Sequence, residues 1–201
     1  MLREEDGFTL AEVMVSMLIM LISMFALYGI FDMSLRVFSF GNDKTEAIEN
    51  ARLGLERMER ELRAAYPYNI LDTDAANDNV FYGYGYDQPL TSNPADSITF
   101  FNDRDGNYVE DASSERVTYS LSGGSPPALL RNGQPLIEFV QPNGLSFTYC
   151  ASVNDCPPSV SILEKDVKMV RIELQVSVDR GLAGPATQTL STDVALRNRT
   201  E

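Results

Sequence analysis

Within the stretch GFTLAEVMVS, Gly7–Ser16, a single carboxylate, Glu12, stands at the start of an almost wholly apolar run. Thr9 and Glu12 fit the T-x-x-E spacing of a capping box, in which the two side chains satisfy free backbone donors where a helix begins. A carboxylate also suits the positive end of the helix dipole. A cap alone does not explain an acid inside an apolar segment, because burial without a partner would cost several kcal/mol. An ionic role toward a partner charge is therefore the second reading, and the two roles can coexist.

Other residues offer chemistry less specifically. Cys150 and Cys156 are the only cysteines, and they flank ASVND far beyond the apolar segment. In an oxidising compartment such a pair most simply closes a small loop as a disulfide, with two free thiols or a metal site as the alternatives. Asn102, Asp103, Asp105, Asn107, Glu110 and Asp111 crowd around Gly106 in NDRDGNYVED. Such oxygen density could hold calcium, but the EF-hand order ending at Gly106 requires an acid where Phe101 stands. Turn chemistry is the preferred reading, and no metal ligand is assigned. Phe81, Tyr82, Tyr84 and Tyr86 in VFYGYGYD read as core and cross-strand packing before they read as a sticky patch. Met14, Met17, Met20 and Met24 fall at helical spacing and read as packing, not as metal ligands.

The chain has no histidine, which removes the commonest general base near neutral pH and the commonest imidazole ligand. No catalytic residue, metal or cofactor is expected, and a carboxylate pair for glycoside hydrolysis cannot be shown to converge. The formal net charge of -13 disfavours phosphate backbones and anionic lipid heads, so direct nucleic-acid binding is not expected.

The elements that must position these residues follow from patterning. Val13 to Phe31 contains no charge and would form a helix about 28 Å long, close to the thickness of a bilayer's hydrocarbon core. It is too long for an ordinary secretory signal, and no small-residue cleavage site follows it. Beyond it the pattern becomes amphipathic: Ile48, Ala51, Leu55, Met58, Leu62 and Ala65 recur at spacings of three and four. Glu56 with Arg60 and Glu59 with Arg63 are i to i+4 pairs in the better orientation. The helix is expected to end near Tyr66 and Pro67, with a bend or break around Gly41 and Asn42. After Pro67, loop clusters separate short apolar runs. Strands are expected at Val80 to Tyr86, Ile98 to Phe101, Val117 to Leu121, Leu136 to Val140, Leu145 to Cys150 and Lys168 to Val178. A further run bears Leu190, Val194 and Leu196, with DRGLAGPAT as the hairpin loop before it. The predicted fold class is α+β, a long N-terminal helix packed on an antiparallel β-sheet head. The expected organisation is 1–7 leader, 8–31 transmembrane helix, 32–66 amphipathic continuation and 67–201 β-rich head.

GFTLAEVMVSMLIML, with the short segment before it, resembles the type IV prepilin signature: a leader ending in Gly, then Phe, then an acid four residues later. ARLGLERMERELRAA, followed by a β domain whose late hairpin ends in TDVALRNR, is similar to PilW-type minor pilins and J-type minor pseudopilins of type II secretion. The resemblance implies a pilin-like fold, cleavage between Gly7 and Phe8 by prepilin peptidase, and methylation of the new amine at Phe8. It further implies that Glu12 pairs with that amine on a neighbouring subunit. The implied partners are minor and major pilins or pseudopilins, the peptidase, the inner-membrane assembly platform and the membrane itself. The implied location is a single-pass inner-membrane protein with an extracytoplasmic head, incorporated into a pilus or pseudopilus. Arg3 and the initiating amine lie on the cytoplasmic side in that orientation. The rival expectation is an unprocessed, membrane-anchored binding module.

Overall fold

The computed structural model describes residues 7–65, 95–107, 114–152, 154–158, 162–178 and 185–196. Among these, one long helix, α1 (Leu10–Arg63), precedes strands β1 (Ile98–Phe101), β2 (Arg116–Leu121), β3 (Leu129–Arg131), β4 (Gln134–Ile137), β5 (Val140–Cys150), β6 (Met169–Val178) and β7 (Ala186–Ala195). The strands form two antiparallel sheets, ordered β1-β2-β3-β4 and β5-β6-β7. The class is the expected α+β, with two sheets where the strand pattern implied one. The chain divides into two compact units, Met1–Asp43 and Lys44–Glu201.

In the first unit the described secondary structure is α1 alone. Its residues from Leu10 to Phe31 are all exposed, and Met33, Leu35, Val37 and Phe38 remain 54–71% exposed beyond them. A helix apolar on every face is stable only among lipid tails or other helices. Among the described residues it is the one helix long and apolar enough to cross a membrane. The expected break at Gly41 and Asn42 is absent, since α1 continues through both. One glycine costs a helix interior about 1 kcal/mol. Restarting a helix after a break would incur a second nucleation step.

In the second unit α1 buries one stripe: Ala47, Ala51, Gly54, Leu55, Met58 and Leu62, with Ala65 just past the helix end. Ile48, expected in that stripe, is only half-buried, and Ala47 beside it points inward instead. The helix stops at Arg63, slightly short of the expected end. The buried stripe joins Phe100, Tyr119, Leu129 and Ile137 from the first sheet with Phe147, Ile172 and Leu174 from the second in one core. Along β6 the even-numbered residues Val170 to Val178 are buried, and the intervening Arg171, Glu173, Gln175 and Ser177 are not, as strict alternation requires.

The run Leu136 to Val140 is not one strand. β4 ends at Ile137, Phe139 adopts a φ of 62°, and β5 starts at Val140, so the chain changes sheet there. β3 was not anticipated. It forms a hairpin with β4 through Asn132 (φ 50°) and Gly133 (φ 76°), with Arg131 opposite Gln134. Both turn positions need positive φ, which Asn and Gly tolerate. The hairpin expected from β6 to β7 is present, in register from Met169 opposite Ala195 to Val178 opposite Ala186. The candidate strand Val80 to Tyr86 lies outside the described residues.

Gly54 is fixed by close approach. A Cβ there would stand 2.0 Å from Ile137 Cδ1 and 2.7 Å from its Cγ1. Helix propensity alone favours Ala at this position by about 1 kcal/mol. Overpacking a filled core costs about 1–3 kcal/mol, so the steric term is expected to win. Gly54→Ala should lower the melting temperature of the head, and combining it with Ile137→Ala should cost less than the two changes summed. An unchanged or raised melting temperature for Gly54→Ala alone would show that the side chain of Ile137 moves aside freely.

Candidate assembly site

Gly7, Phe8 and Thr9 precede the first helical residue, and Phe8 is 89% exposed, so the Gly7–Phe8 bond lies in accessible, non-helical chain. The start of α1 is closed by reciprocal bonds. Glu12 N donates to Thr9 Oγ1 at 3.3 Å, while Thr9 N and Thr9 Oγ1 both donate to Glu12 Oε2 at 2.9 Å. This is the capping box that the spacing predicts. It leaves Glu12 Oε1 without a hydrogen bond among the described residues. The carboxylate is thus fixed in place by one oxygen and can receive a further donor on the other.

The hydroxyls along the apolar run turn back onto their own helix. Ser16 Oγ donates to Glu12 O at 2.6 Å, Ser23 Oγ to Ile19 O at 2.8 Å and Ser34 Oγ to Ile30 O at 2.9 Å. Each of these serine hydroxyls is satisfied locally, as an apolar environment demands. Asp32 and Arg36 pair with each other at 3.0 Å along the same helix. Glu12 is therefore the one acid between Phe8 and Phe31, and its charge has no cationic partner among the described residues.

Three polar clusters support the head. Glu61, on the last turn of α1, accepts Tyr119 Oη at 2.7 Å on Oε2, Arg131 Nε at 3.0 and 3.2 Å on its two oxygens, and Arg57 Nε at 3.2 Å on Oε1. Burial raises the pKa of Glu61, but the Arg131, Tyr119 and Arg57 bonds outweigh it and hold the carboxyl below its ordinary value. Burial and the adjacent Glu61 push the Tyr119 phenol up. Glu61 thereby ties the helix to β2 and β3. Of the two helical pairs expected, Glu59 does bond Arg63, and Glu59 Oε2 also accepts Thr192 Oγ1 at 3.4 Å.

At the end of β5, Cys150 and Cys156 form a disulfide. Arg171 on β6 donates Nη1 to Cys156 O at 3.4 Å and forks Asp193 on β7, opposite it in register, at 2.7 and 3.0 Å. That pairing raises Arg171 and holds Asp193 below the usual carboxylate range. Cys150→Ser with Cys156→Ser should cost about 2 kcal/mol, the value for a short closed loop, with the sheet retained. Thermal denaturation checks this, and unchanged stability would mean that Arg171 alone holds the loop.

The acidic loop after β1 gathers Asp103, Asp105 and Glu115, with ligand-type oxygens all within 4.8 Å of one another. Glu115, buried beside β2, lies outside the set read from sequence. Its Oε1 accepts Arg104 N at 3.0 Å and Asp105 N at 3.4 Å, while Asp103 Oδ1 accepts Gly106 N at 2.7 Å and Asp105 Oδ1 accepts Asn107 N at 3.0 Å. These bonds are the turn chemistry expected of the segment. Glu110 and Asp111 lie outside the described residues.

Residues 2–28 match the family model of the prokaryotic N-terminal methylation motif. The match spans Gly7, Phe8, Thr9, Glu12 and most of the apolar run. The N-terminal segment is accordingly prepilin-like, and the motif together with the exposed apolar helix fits a membrane-anchored pilin. No curated protein and no solved structure matches the chain.

Proposed function

We propose that the protein is a minor pilin or minor pseudopilin, a non-enzymatic structural subunit that primes or caps a type IV pilus or type II secretion pseudopilus. The observation that carries this reading is a capped Glu12, one oxygen of which takes no hydrogen bond among the described residues, at the start of an exposed apolar helix inside a methylation motif. Prepilin peptidase cuts between Gly7 and Phe8, the Phe8 amine is methylated, and Glu12 receives a cationic amine from a neighbouring subunit. Residues 8–31 form the membrane and filament-core helix, residues 32–66 continue it, and residues 67–201 form the extracytoplasmic head. The partners are sister pilins or pseudopilins and the inner-membrane assembly platform. PilW-like sequence features in ARLGLERMERELRAA and TDVALRNR support the minor role.

The minor role is tested by quantitative mass spectrometry of sheared filaments or of the stabilised pseudopilus. The subunit should be far less abundant than the bulk pilin, and deleting it should reduce filament number rather than filament composition. Recovery as the bulk component would contradict the priming or capping role.

A further inference from the structure

We infer that the outer edge of β7 is a docking site for an extended strand of a sister subunit. The inference rests on the filament reading for the nature of the partner, while the site itself rests on geometry. β7 is the edge of its sheet, and among the described residues no strand pairs with its far side. Leu196 N donates to Lys168 O and Ser177 N to Phe139 O, which fixes the phase of the ladder. The even-numbered residues of β7 exchange hydrogen bonds with β6, so Thr187, Thr189, Ser191 and Asp193 turn their backbone groups to the open edge.

Natural edge strands are blunted by lysine, proline or bulges. From Ala186 to Thr192, ATQTLST has none of these: it carries no charge or proline, and its pairing with β6 has no register shift. The edge is also accessible. A groove of about 490 Å³ runs between α1 and β7, lined by the consecutive residues Gln188 to Thr192. Thr187, Thr189 and Ser191, whose backbone groups face the open edge, are themselves exposed.

The opposite wall names the occupant's chemistry. Ile48 and Leu55 supply apolar surface, and Arg52 and Glu56, one helical turn apart, border the groove, with no bond to each other or to another group among the described residues. A strand added to β7 would form main-chain bonds with Thr187, Thr189 and Ser191 and lay alternate apolar side chains against Ile48 and Leu55. Its flanking acid and base would answer Arg52 and Glu56. A second copy of this chain is the poorer occupant, because each copy brings a net charge of -13.

Hydrogen exchange of the full chain tests this, comparing protein produced alone in detergent with protein isolated alongside its sister subunits from host membranes. The amides of Thr187, Thr189 and Ser191 should exchange rapidly in the first sample and at least about tenfold more slowly in the second. Those of Gln188 and Leu190, already bonded to β6, should change little. Thr189→Pro deletes only an outward donor and should abolish the new protection while the β6–β7 ladder stays protected. Equal exchange in both samples, or protection that survives Thr189→Pro, would overturn the proposal. Protection that rises with the concentration of the purified chain alone would make a second copy the occupant and would also overturn it. If the site fails while the N-terminus is methylated at Phe8, the filament reading stands without it.

Discussion

Glu12→Ala and Glu12→Gln should both leave membrane insertion and cleavage intact and both abolish incorporation among sister subunits. The two substitutions separate the roles of this carboxylate. Glutamine at the third helical position retains the reciprocal bond of a capping box, whereas alanine loses it. Only the charge is missing in Glu12→Gln. Removing one member of a buried ion pair costs about 2–5 kcal/mol, about thirtyfold or more in occupancy, because the partner amine stays buried and unanswered. Site-specific crosslinking to sister subunits in the membrane measures incorporation, and N-terminal sequencing measures cleavage. Normal crosslinking of Glu12→Gln would reduce Glu12 to a helix cap. Loss in Glu12→Ala alone would place the effect in the helix start.

Glu61 should dominate the stability of the head. Glu61→Ala strips three donors at once, and Arg131 and the Tyr119 hydroxyl face inward with no replacement. Each buried group left unsatisfied costs about 1–3 kcal/mol. A total of about 3 kcal/mol corresponds to a fall in melting temperature of roughly 6–12 °C for a unit of this size. Glu61→Gln keeps one acceptor and should cost about half as much. The pH dependence has a definite sign. The carboxyl is held below its ordinary value of 4.5 in the folded chain, so its stabilisation is present above that value and is lost as pH falls through the lower folded value. Wild type should therefore lose its advantage over Glu61→Gln below about pH 4.5, the ordinary carboxyl value. Circular dichroism melts of the full chain in detergent follow this, with the exposed Glu49→Gln as a control. A constant gap between wild type and Glu61→Gln at all pH values would assign the cluster to packing alone.

Local signals carried the N-terminal half of this architecture. The capping box, the apolar run and the helical stripe are periodic or fixed at short range, and α1 follows them closely. Alternation in β6 predicted its end at Val178, its start to within one residue, and its buried face. Two further local signals lie in the sequence: Asn132-Gly133, between Arg131 and Gln134, is a two-residue hairpin turn that defines β3 and β4, and Gly54 inside the apolar stripe marks contact with another element. The division into two sheets was not legible, because it depends on the reversal at Phe139, where an aromatic residue adopts a positive φ that its type disfavours. The Glu61 cluster was equally hidden. Its partners Tyr119 and Arg131 lie 58 and 70 residues away, and nothing in the helix sequence distinguishes Glu61 from its acidic neighbours.

At the candidate assembly site, the sequence singles out Gly7, Phe8 and Glu12, and the structure supplies the geometry of the capping box around Glu12. Thr9 fixes one oxygen of Glu12, and the other takes no hydrogen bond among the described residues. The counter-charge must come from outside the helix, and cleavage at Gly7 would create it at the adjacent Phe8. Mass spectrometry of the N-terminal peptide from protein isolated from its native host tests this most directly. The account predicts a mature chain that begins with N-methylated Phe8. A chain that keeps Met1, or one that begins at any other residue, would contradict it.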